Sequence, residues 1–221
     1  MQKTNIEWCD YSFNPVKGLC PMRCPYCYAR AMYQRFKWNP EIRLDTDEIN
    51  QMLKFKKKGQ KIFVGSTIDL FCPEVISQAG GLHEIIEITK QSQNWFLFLT
   101  KNPAIYSCWM PSVFGFNNRW LGVSIDKRFK VVSAQTMMEP MRFLKTKGAL
   151  FVSFEPLLNP IEKSELKLLP IFSWIIIGGL NKKPPASPDY YRAIIEVARE
   201  NNIPVFLKWD KNNWNYPEEL K

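Results

Sequence analysis

Three cysteines stand close together near the start of the chain, and their spacing suits a metal site. Cys20, Cys24 and Cys27 form a Cys-x3-Cys-x2-Cys pattern. Thiolates this close in sequence indicate metal binding rather than disulfides. A cubane iron–sulfur cluster normally takes four thiolates, so three would leave one iron without a protein ligand. A catalytic metal centre requires an open position of this kind.

The other common sulfur sites fit the sequence less well. A structural zinc site usually adds a second cysteine pair, or two histidines, further along the chain. His83 is the only histidine, and Cys9, Cys72 and Cys108 are scattered singly. A ferredoxin run would supply a fourth nearby cysteine. We therefore expect an open iron–sulfur cluster, with zinc binding and inert thiols as the alternatives.

With the aromatic Tyr26 just before its last cysteine, the motif resembles the signature of the radical S-adenosylmethionine (radical SAM) superfamily. The resemblance implies that Cys20, Cys24 and Cys27 hold a [4Fe–4S] cluster whose open iron binds SAM. It also implies an electron donor such as flavodoxin or ferredoxin. One electron cleaves SAM reductively to methionine and a 5′-deoxyadenosyl radical, which abstracts hydrogen from a substrate.

The length and the charge of the chain limit its domain organisation, its partners and its location in the cell. The 221 residues suit one domain, 1–221, without an appended domain. A net charge of +9 favours a polyanionic partner, with nucleic acid first. The densest basic stretch, residues 54–61, is explained either by the end of a helix or by a nucleic-acid contact. With no long apolar run and no signal peptide, we expect no membrane span and a cytoplasmic protein, in the host cytoplasm if it is phage-encoded.

Short apolar runs alternate with helical patterns along the chain. Runs that are nearly continuous in apolar residues suit parallel strands buried on both faces. We therefore predict an α/β fold, a partial or compact (β/α) barrel of about six to seven parallel strands, with a doubly wound open sheet as the alternative. The predicted strands are 61–65, 95–100, 120–124, 150–154, 174–178 and 204–208, with 5–9 as a weaker candidate. The predicted helices are 27–36, 46–57, 82–91, 131–145 and 188–201.

Polar residues follow most of the predicted strands, where chemistry collects in parallel α/β folds. Each of them alone could be a cap or a turn residue. Together, at one end of a barrel, they would form a polar ring facing the cluster. Glu155 and Lys208 are the strongest candidates for contact with a substrate, because a carboxylate after an apolar strand needs a cation or a donor. The alternative is that they pair with each other.

The polar strand ends extend the resemblance to an uncharacterised phage-associated branch of the superfamily. By that resemblance Ser66, Thr67 or Asp69 would contact the methionine amino group of SAM, in place of a Gly-Gly-Glu-like turn. Ser124 and Asp126 would hold its ribose, and Tyr26 or Tyr28 would flank its adenine or simply pack. The stretches that carry this resemblance are 5–8, 14–16, 65–71, 98–101, 121–124, 151–158 and 178–179.

The leading hypothesis is a radical SAM enzyme that modifies or repairs a nucleic-acid base or nucleotide. Glu155 and Lys208 would face the substrate, and Cys72 either donates a hydrogen atom there or is an inert buried thiol. One alternative is a non-catalytic nucleic-acid-binding module with a structural metal site. Another is a radical SAM enzyme that acts on a peptide or a small molecule.

Overall fold

The computed structural model describes residues 1–109, 118–126, 134–142 and 149–221. By its internal contacts the chain divides into two compact units. The N-terminal unit comprises Met1–Thr100 and Trp109–Arg119, and the C-terminal unit comprises Lys101–Cys108 and Trp120–Lys221. The single-domain organisation stays a prediction.

The strands of the N-terminal unit lie in the order β1-β2-β5-β6, where β1 is antiparallel to β2 and the others are parallel. A separate antiparallel hairpin joins β3 to β4. The strands are β1 (Gln2–Lys3), β2 (Tyr11–Phe13), β3 (Val16–Lys17), β4 (Arg43–Leu44), β5 (Lys61–Val64) and β6 (Trp95–Thr100). The helices are α1 (Tyr28–Phe36), α2 (Thr46–Leu53), α3 (Pro73–Ala79) and α4 (Leu82–Lys90).

The helices of this unit begin and end at residues with recognisable capping roles. Asp45 precedes α2, and its carboxylate accepts the Glu48 N–H at 3.0 Å, which satisfies one of the free donors of the first turn. Lys37 ends α1 in the left-handed conformation, with φ 50° and ψ 40°. Pro73 stands at the first position of α3, where its missing N–H costs nothing.

In the described part of the C-terminal unit, four parallel strands lie in the order β7-β8-β9-β10. They are β7 (Arg119–Ile125, whose first residue belongs to the N-terminal unit), β8 (Ala149–Phe154), β9 (Trp174–Ile177) and β10 (Val205–Leu207). The helices are α5 (Ala134–Arg142), α6 (Lys163–Leu166) and α7 (Asp189–Glu200). Ser124 and Ser153 are partners in the β7–β8 register, so both side chains lie on one face of this sheet.

The six principal strand predictions are confirmed as β5 to β10. The weaker candidate at 5–9 is wrong, because the Cys9 N–H bonds back to the Ile6 carbonyl in a turn and β2 supplies the first parallel strand instead. Helix α2 ends at Leu53 rather than at 57, so the basic stretch follows the helix. The outer residues of the predicted helix 131–145 lie outside the described residues.

The protein is therefore a mixed α/β fold whose main strands are mostly parallel, with four of them in each unit among the residues that the structure describes. Closure of the strands into a barrel is not detected within the described ranges. No helix in the described part of the chain is long and apolar enough to cross a membrane.

Candidate functional site

The three cysteines lie on one loop, residues 18–27, between β3 and α1. Its start is held tightly. Gly18 has φ +128°, and a Cβ there would come within 2.7 Å of the Glu41 carbonyl oxygen. The Gly18 N–H donates to the Tyr33 hydroxyl at 2.7 Å, and the Leu19 N–H donates to the Pro40 carbonyl at 2.9 Å. Helix α1 and the segment before β4 therefore fix where the cysteine loop begins.

The loop then ends directly at the N-terminus of α1. Cys27 is the residue before this helix, and its N–H bonds to the Cys24 carbonyl at 3.1 Å. The Arg30 guanidinium donates to the Cys20 carbonyl at 2.8 Å. Helix α1 therefore fixes both ends of the motif, because Cys27 directly precedes it and its Arg30 holds the backbone of Cys20.

None of the three thiols is lost to a disulfide, since Cys20, Cys24 and Cys27 are free cysteines. Cys24 is buried, while Cys20 and Cys27 are half-buried. Within the described residues, no three His, Cys, Asp or Glu side chains converge as the ligands of one ion would. A cubane places its cysteines on different irons, so its ligands need not converge on one point. The donor set is therefore compatible with a cluster.

Cys20 is the thiol with the most specific surroundings. The Asp69 N–H donates to Cys20 Sγ at 3.5 Å. A hydrogen bond from the Cys72 thiol lowers the pKa of Cys20 to about 7, against the opposing effect of burial, and the backbone N–H groups of Asp69 and Met22 add to the lowering. That same hydrogen bond raises the pKa of Cys72, and burial raises it further. Cys72 is therefore the donor and the Cys20 thiolate the acceptor.

The β5–α3 loop carries three of the residues expected to contact SAM, and it packs beside the cysteine loop. Ser66 donates through its hydroxyl to Asn14 Oδ1 at 3.0 Å, and its carbonyl accepts the Tyr28 hydroxyl at 2.9 Å. Thr67 follows on the same loop, half-buried. Tyr26 is also half-buried, on the cysteine loop itself.

Asp69 has a structural task within this loop. Its carboxylate accepts the Thr100 hydroxyl at 2.8 Å and the Phe71 N–H at 3.0 Å. The carboxylate thus holds the loop in the shape that directs the Asp69 N–H toward Cys20. The sequence alone assigned no role to Thr100 or to Asn14. Both contacts depend on strands that lie side by side but are distant in sequence.

The C-terminal unit brings together the other predicted residues in two pairs. Lys101 donates to the Ser124 hydroxyl at 2.9 Å and lies 3.2 Å from an Asp126 carboxylate oxygen. Lys208 forms an ion pair with Glu155, which confirms the predicted alternative that these two pair with each other. The Lys208 side chain is 8% exposed and that of Glu155 is 29% exposed. Lys101 was not assigned a role from the sequence.

Two further features shape the surroundings of the Glu155–Lys208 pair. Gly178 lies against it, since a Cβ at this glycine would stand 3.0 Å from Lys208 Cδ and 3.4 Å from Glu155 Cγ. Ser153 lies two residues before Glu155, near the end of β8. Its hydroxyl is buried and has no hydrogen-bond partner among the described residues. A polar residue inside the apolar run 150–154 was the signal in the sequence for this position.

Solved structures of spore photoproduct lyase are similar in fold to this chain. A cysteine-to-alanine mutant with dinucleoside spore photoproduct has a TM-score of 0.60 and 13% identity, and the match covers 90% of this chain and 63% of that one. The lyase complexed with dinucleoside spore photoproduct gives 0.55 and 13%, and a tyrosine-to-phenylalanine mutant gives 0.58 and 14%, with the same coverage of both chains. The chain thus spans 63% of the length of these lyases, and the likeness is one of fold.

No curated protein matches the chain. A family model does match, and it spans residues 3–217 of the 221. The match therefore includes the cysteine loop, the β5–α3 loop and the Glu155–Lys208 pair. The chain belongs to the family described as protein of unknown function (DUF5131).

Proposed function

We propose that this protein is a radical SAM enzyme in which Cys20, Cys24 and Cys27 hold a [4Fe–4S] cluster. The observation that carries the proposal is the cysteine loop. It holds three free thiols at the N-terminus of α1, and one of them has its pKa lowered to about 7 by a hydrogen bond from Cys72. Similarity in fold to spore photoproduct lyase, a radical SAM enzyme, supports the assignment. We also propose that the main strands of the complete fold form a partial or compact (β/α) barrel.

When bound, the cluster would supply one electron to SAM, whose reductive cleavage gives the 5′-deoxyadenosyl radical. The chain's own residues would hold and orient the reactants. Asp69 presents its N–H to Cys20 Sγ. Hydrogen bonds to the sulfurs of a cluster raise its reduction potential, so that the cluster accepts an electron more readily. We assign Ser66, Thr67 and Asp69 to the methionine end of SAM and Tyr26 to its adenine.

Ser124 and Asp126 are proposed to hold the ribose of SAM. Lys101 contacts both side chains, so it fixes a hydroxyl and a carboxylate in one place. A carboxylate held in place by a neighbouring cation can accept hydrogen bonds from the two hydroxyl groups of a ribose. Lys101 would then position Ser124 and Asp126 for this contact.

We propose a nucleic-acid base or nucleotide as the substrate class. The net charge of +9 favours a polyanionic substrate. A solved structure of the lyase with a similar fold is described as having dinucleoside spore photoproduct with it. Glu155 and Lys208 offer an acceptor and a donor side by side, which matches the edge of a base that presents both. The Cys72 thiol donates to Cys20, so we place it with the cluster rather than with the substrate.

Anaerobic reconstitution with iron and sulfide tests the first part of the proposal. The wild-type protein should take up about four irons per chain and release 5′-deoxyadenosine from SAM after reduction. Cys24→Ser should lose both properties. Cys9→Ser is the matched control, because Cys9 is a buried thiol outside the three-cysteine motif that donates to the Ile6 carbonyl. Tightly bound zinc without SAM cleavage would overturn the proposal in favour of a non-catalytic module.

A further inference from the structure

Aromatic side chains are exposed at the C-terminal end of α1. Phe36 is 51% exposed and Trp38 is 44% exposed, although rings of this size usually contribute to a core. The two rings stack on each other, with centroids 5.4 Å apart and planes inclined by 24°. Stacking covers one face of each ring, and about half of each residue remains accessible to solvent. We call Phe36 and Trp38 the aromatic platform.

The platform is held in place from below. The Trp38 ring makes an edge contact with Tyr33, with centroids 5.4 Å apart and an interplanar angle of 86°. Tyr33 is buried, and its hydroxyl accepts the Gly18 N–H at the start of the cysteine loop. The left-handed Lys37 ends the helix, and the Trp38 N–H bonds back to the Tyr33 carbonyl at 3.2 Å. The orientation of the platform is therefore built into the fold, which a merely tolerated surface residue would not require.

Two cations, Arg35 and Lys37, are the direct neighbours in sequence of the platform residue Phe36. The Arg35 guanidinium lies over the Phe36 ring, 5.3 Å from its centroid. Neither Arg35 nor Lys37 has an acidic partner within ion-pair distance in the part of the chain that the structure describes. From residue 23 to residue 43 there are five arginines and lysines and one acidic residue, Glu41, so the local charge is +5 − 1 = +4. Open cations beside stacked aromatics favour an anionic ligand that also offers flat rings.

We propose that the aromatic platform, with Arg35 and Lys37, binds single-stranded nucleic acid. Unpaired bases stack on aromatic side chains, and the neighbouring cations neutralise the phosphates. A duplex keeps its bases stacked inside, so it could not use the platform in the same way. The inference rests on the proposed nucleic-acid substrate, and it adds a docking surface outside the reaction site.

The position of the platform sets the length of the ligand. Helix α1 has nine residues, so the platform stands about 13 Å along the helix from Cys27. A strand that advances about 3.4 Å per nucleotide covers this distance in roughly four nucleotides. An oligonucleotide that reaches from the platform to the cluster loop should therefore bind better than a dinucleotide that can occupy only one of them.

Fluorescence anisotropy of the reconstituted protein with a labelled oligothymidylate of about eight nucleotides tests the platform. The Phe36→Ala/Trp38→Ala variant should bind at least about tenfold more weakly, and Trp38→Phe should retain most of the affinity because it keeps an aromatic face. Duplex of the same length should bind more weakly than single strand and should respond little to the alanine variant. Equal affinity of wild type and the alanine variant for single strand would overturn the proposal.

The charge part of the proposal has its own matched control. Arg35→Gln/Lys37→Gln should reduce the magnitude of the negative slope of log affinity against log salt by about 1.4, which corresponds to two lost phosphate contacts. The control is Lys163→Gln/Lys167→Gln, which removes two exposed charges from the C-terminal unit. If this control lowers the affinity and the magnitude of the slope as much as the Arg35/Lys37 variant does, the binding is diffuse and the platform proposal fails.

Two further measurements separate the possible causes of failure. Tighter binding to vesicles of anionic lipid, or to an acidic peptide, than to oligothymidylate would overturn the choice of partner. Iron content and 5′-deoxyadenosine release are recorded for each variant, and the platform variants should leave both unchanged. Normal SAM cleavage without platform-dependent binding would refute this inference alone, whereas absence of both cluster and cleavage would refute the proposed function.

Discussion

The ion pair between Glu155 and Lys208 gives a quantitative test of the site in the C-terminal unit. The Lys208 side chain is 8% exposed, so its ammonium has little access to water, whereas Glu155 is 29% exposed. Breaking a fully buried pair costs about 3–5 kcal/mol, because it leaves an uncompensated buried charge. Since water reaches part of this pair, we expect Glu155→Gln to lower the free energy of unfolding by about 2–3 kcal/mol.

The two single substitutions should differ in cost. Lys208→Met leaves the more exposed Glu155 carboxylate, which water can solvate, so we expect a loss of about 1 kcal/mol. The double variant removes both charges and should also lose about 1 kcal/mol, because an apolar replacement of a buried pair is often close to neutral. The singles then sum to about 3–4 kcal/mol, and the double-mutant cycle should give a coupling of about 2–3 kcal/mol.

Urea unfolding at pH 7, followed by far-UV circular dichroism, measures these free energies. The matched control is the exposed pair Glu218–Lys221, whose side chains are 83% and 59% exposed. Glu218→Gln should change the free energy of unfolding by less than about 0.5 kcal/mol. If the Glu155 and Lys208 substitutions add within about 0.5 kcal/mol, the two side chains do not interact and the reasoning is refuted.

Three shorter predictions concern the cysteine loop. In the metal-free protein, iodoacetamide should modify Cys20 with half-maximal rate near pH 7, because its lowered pKa of about 7 makes it a thiolate above that pH; a midpoint near 9 would contradict the assigned hydrogen bond. Cys72→Ala removes the donor, so the modification at pH 7 should slow several-fold, as followed by mass spectrometry, while an unchanged rate would show that Cys72 has no influence. Thr100→Val removes the hydroxyl that holds the β5–α3 loop and should lower the free energy of unfolding by about 1 kcal/mol in urea; Thr46→Val, at an exposed position, is the control and should have a smaller effect.

Continuous apolar runs made the main strands predictable from the sequence. Each of β5 to β10 is short and buried on both faces, so its own residues specify it without reference to partners. The hairpin of β3 and β4 was not predicted, because two-residue strands have no pattern and form only when their partner is present. Helix α3 was also missed, although a proline after Cys72 is a recognised helix start.

The candidate site was predictable only where its residues are close in sequence. The cysteine motif is local, and its spacing alone indicated a metal. The residues that orient it come from distant strands: Thr100 reaches Asp69 across 31 positions, and Asn14 meets Ser66 across 52. The sequence left two alternatives for Glu155 and Lys208, contact with a substrate or pairing with each other. The sequence places both residues at the same edge of the sheet, but it does not specify the rotamers that bring their charged groups together. The aromatic platform was missed because exposure is a property of the folded chain.

The tight seat of Gly18 also has an evolutionary consequence. Its backbone lies against Glu41 and Ile42 with no room for a Cβ, and its φ of +128° excludes other residues on separate grounds. One residue, Leu19, then separates it from the first cysteine, and that residue is itself bonded to Pro40. Related sequences should therefore keep a glycine two positions before the first cysteine and should show no insertion between them. Insertions and deletions among related sequences should instead occur in segments that are not held by hydrogen bonds at both ends.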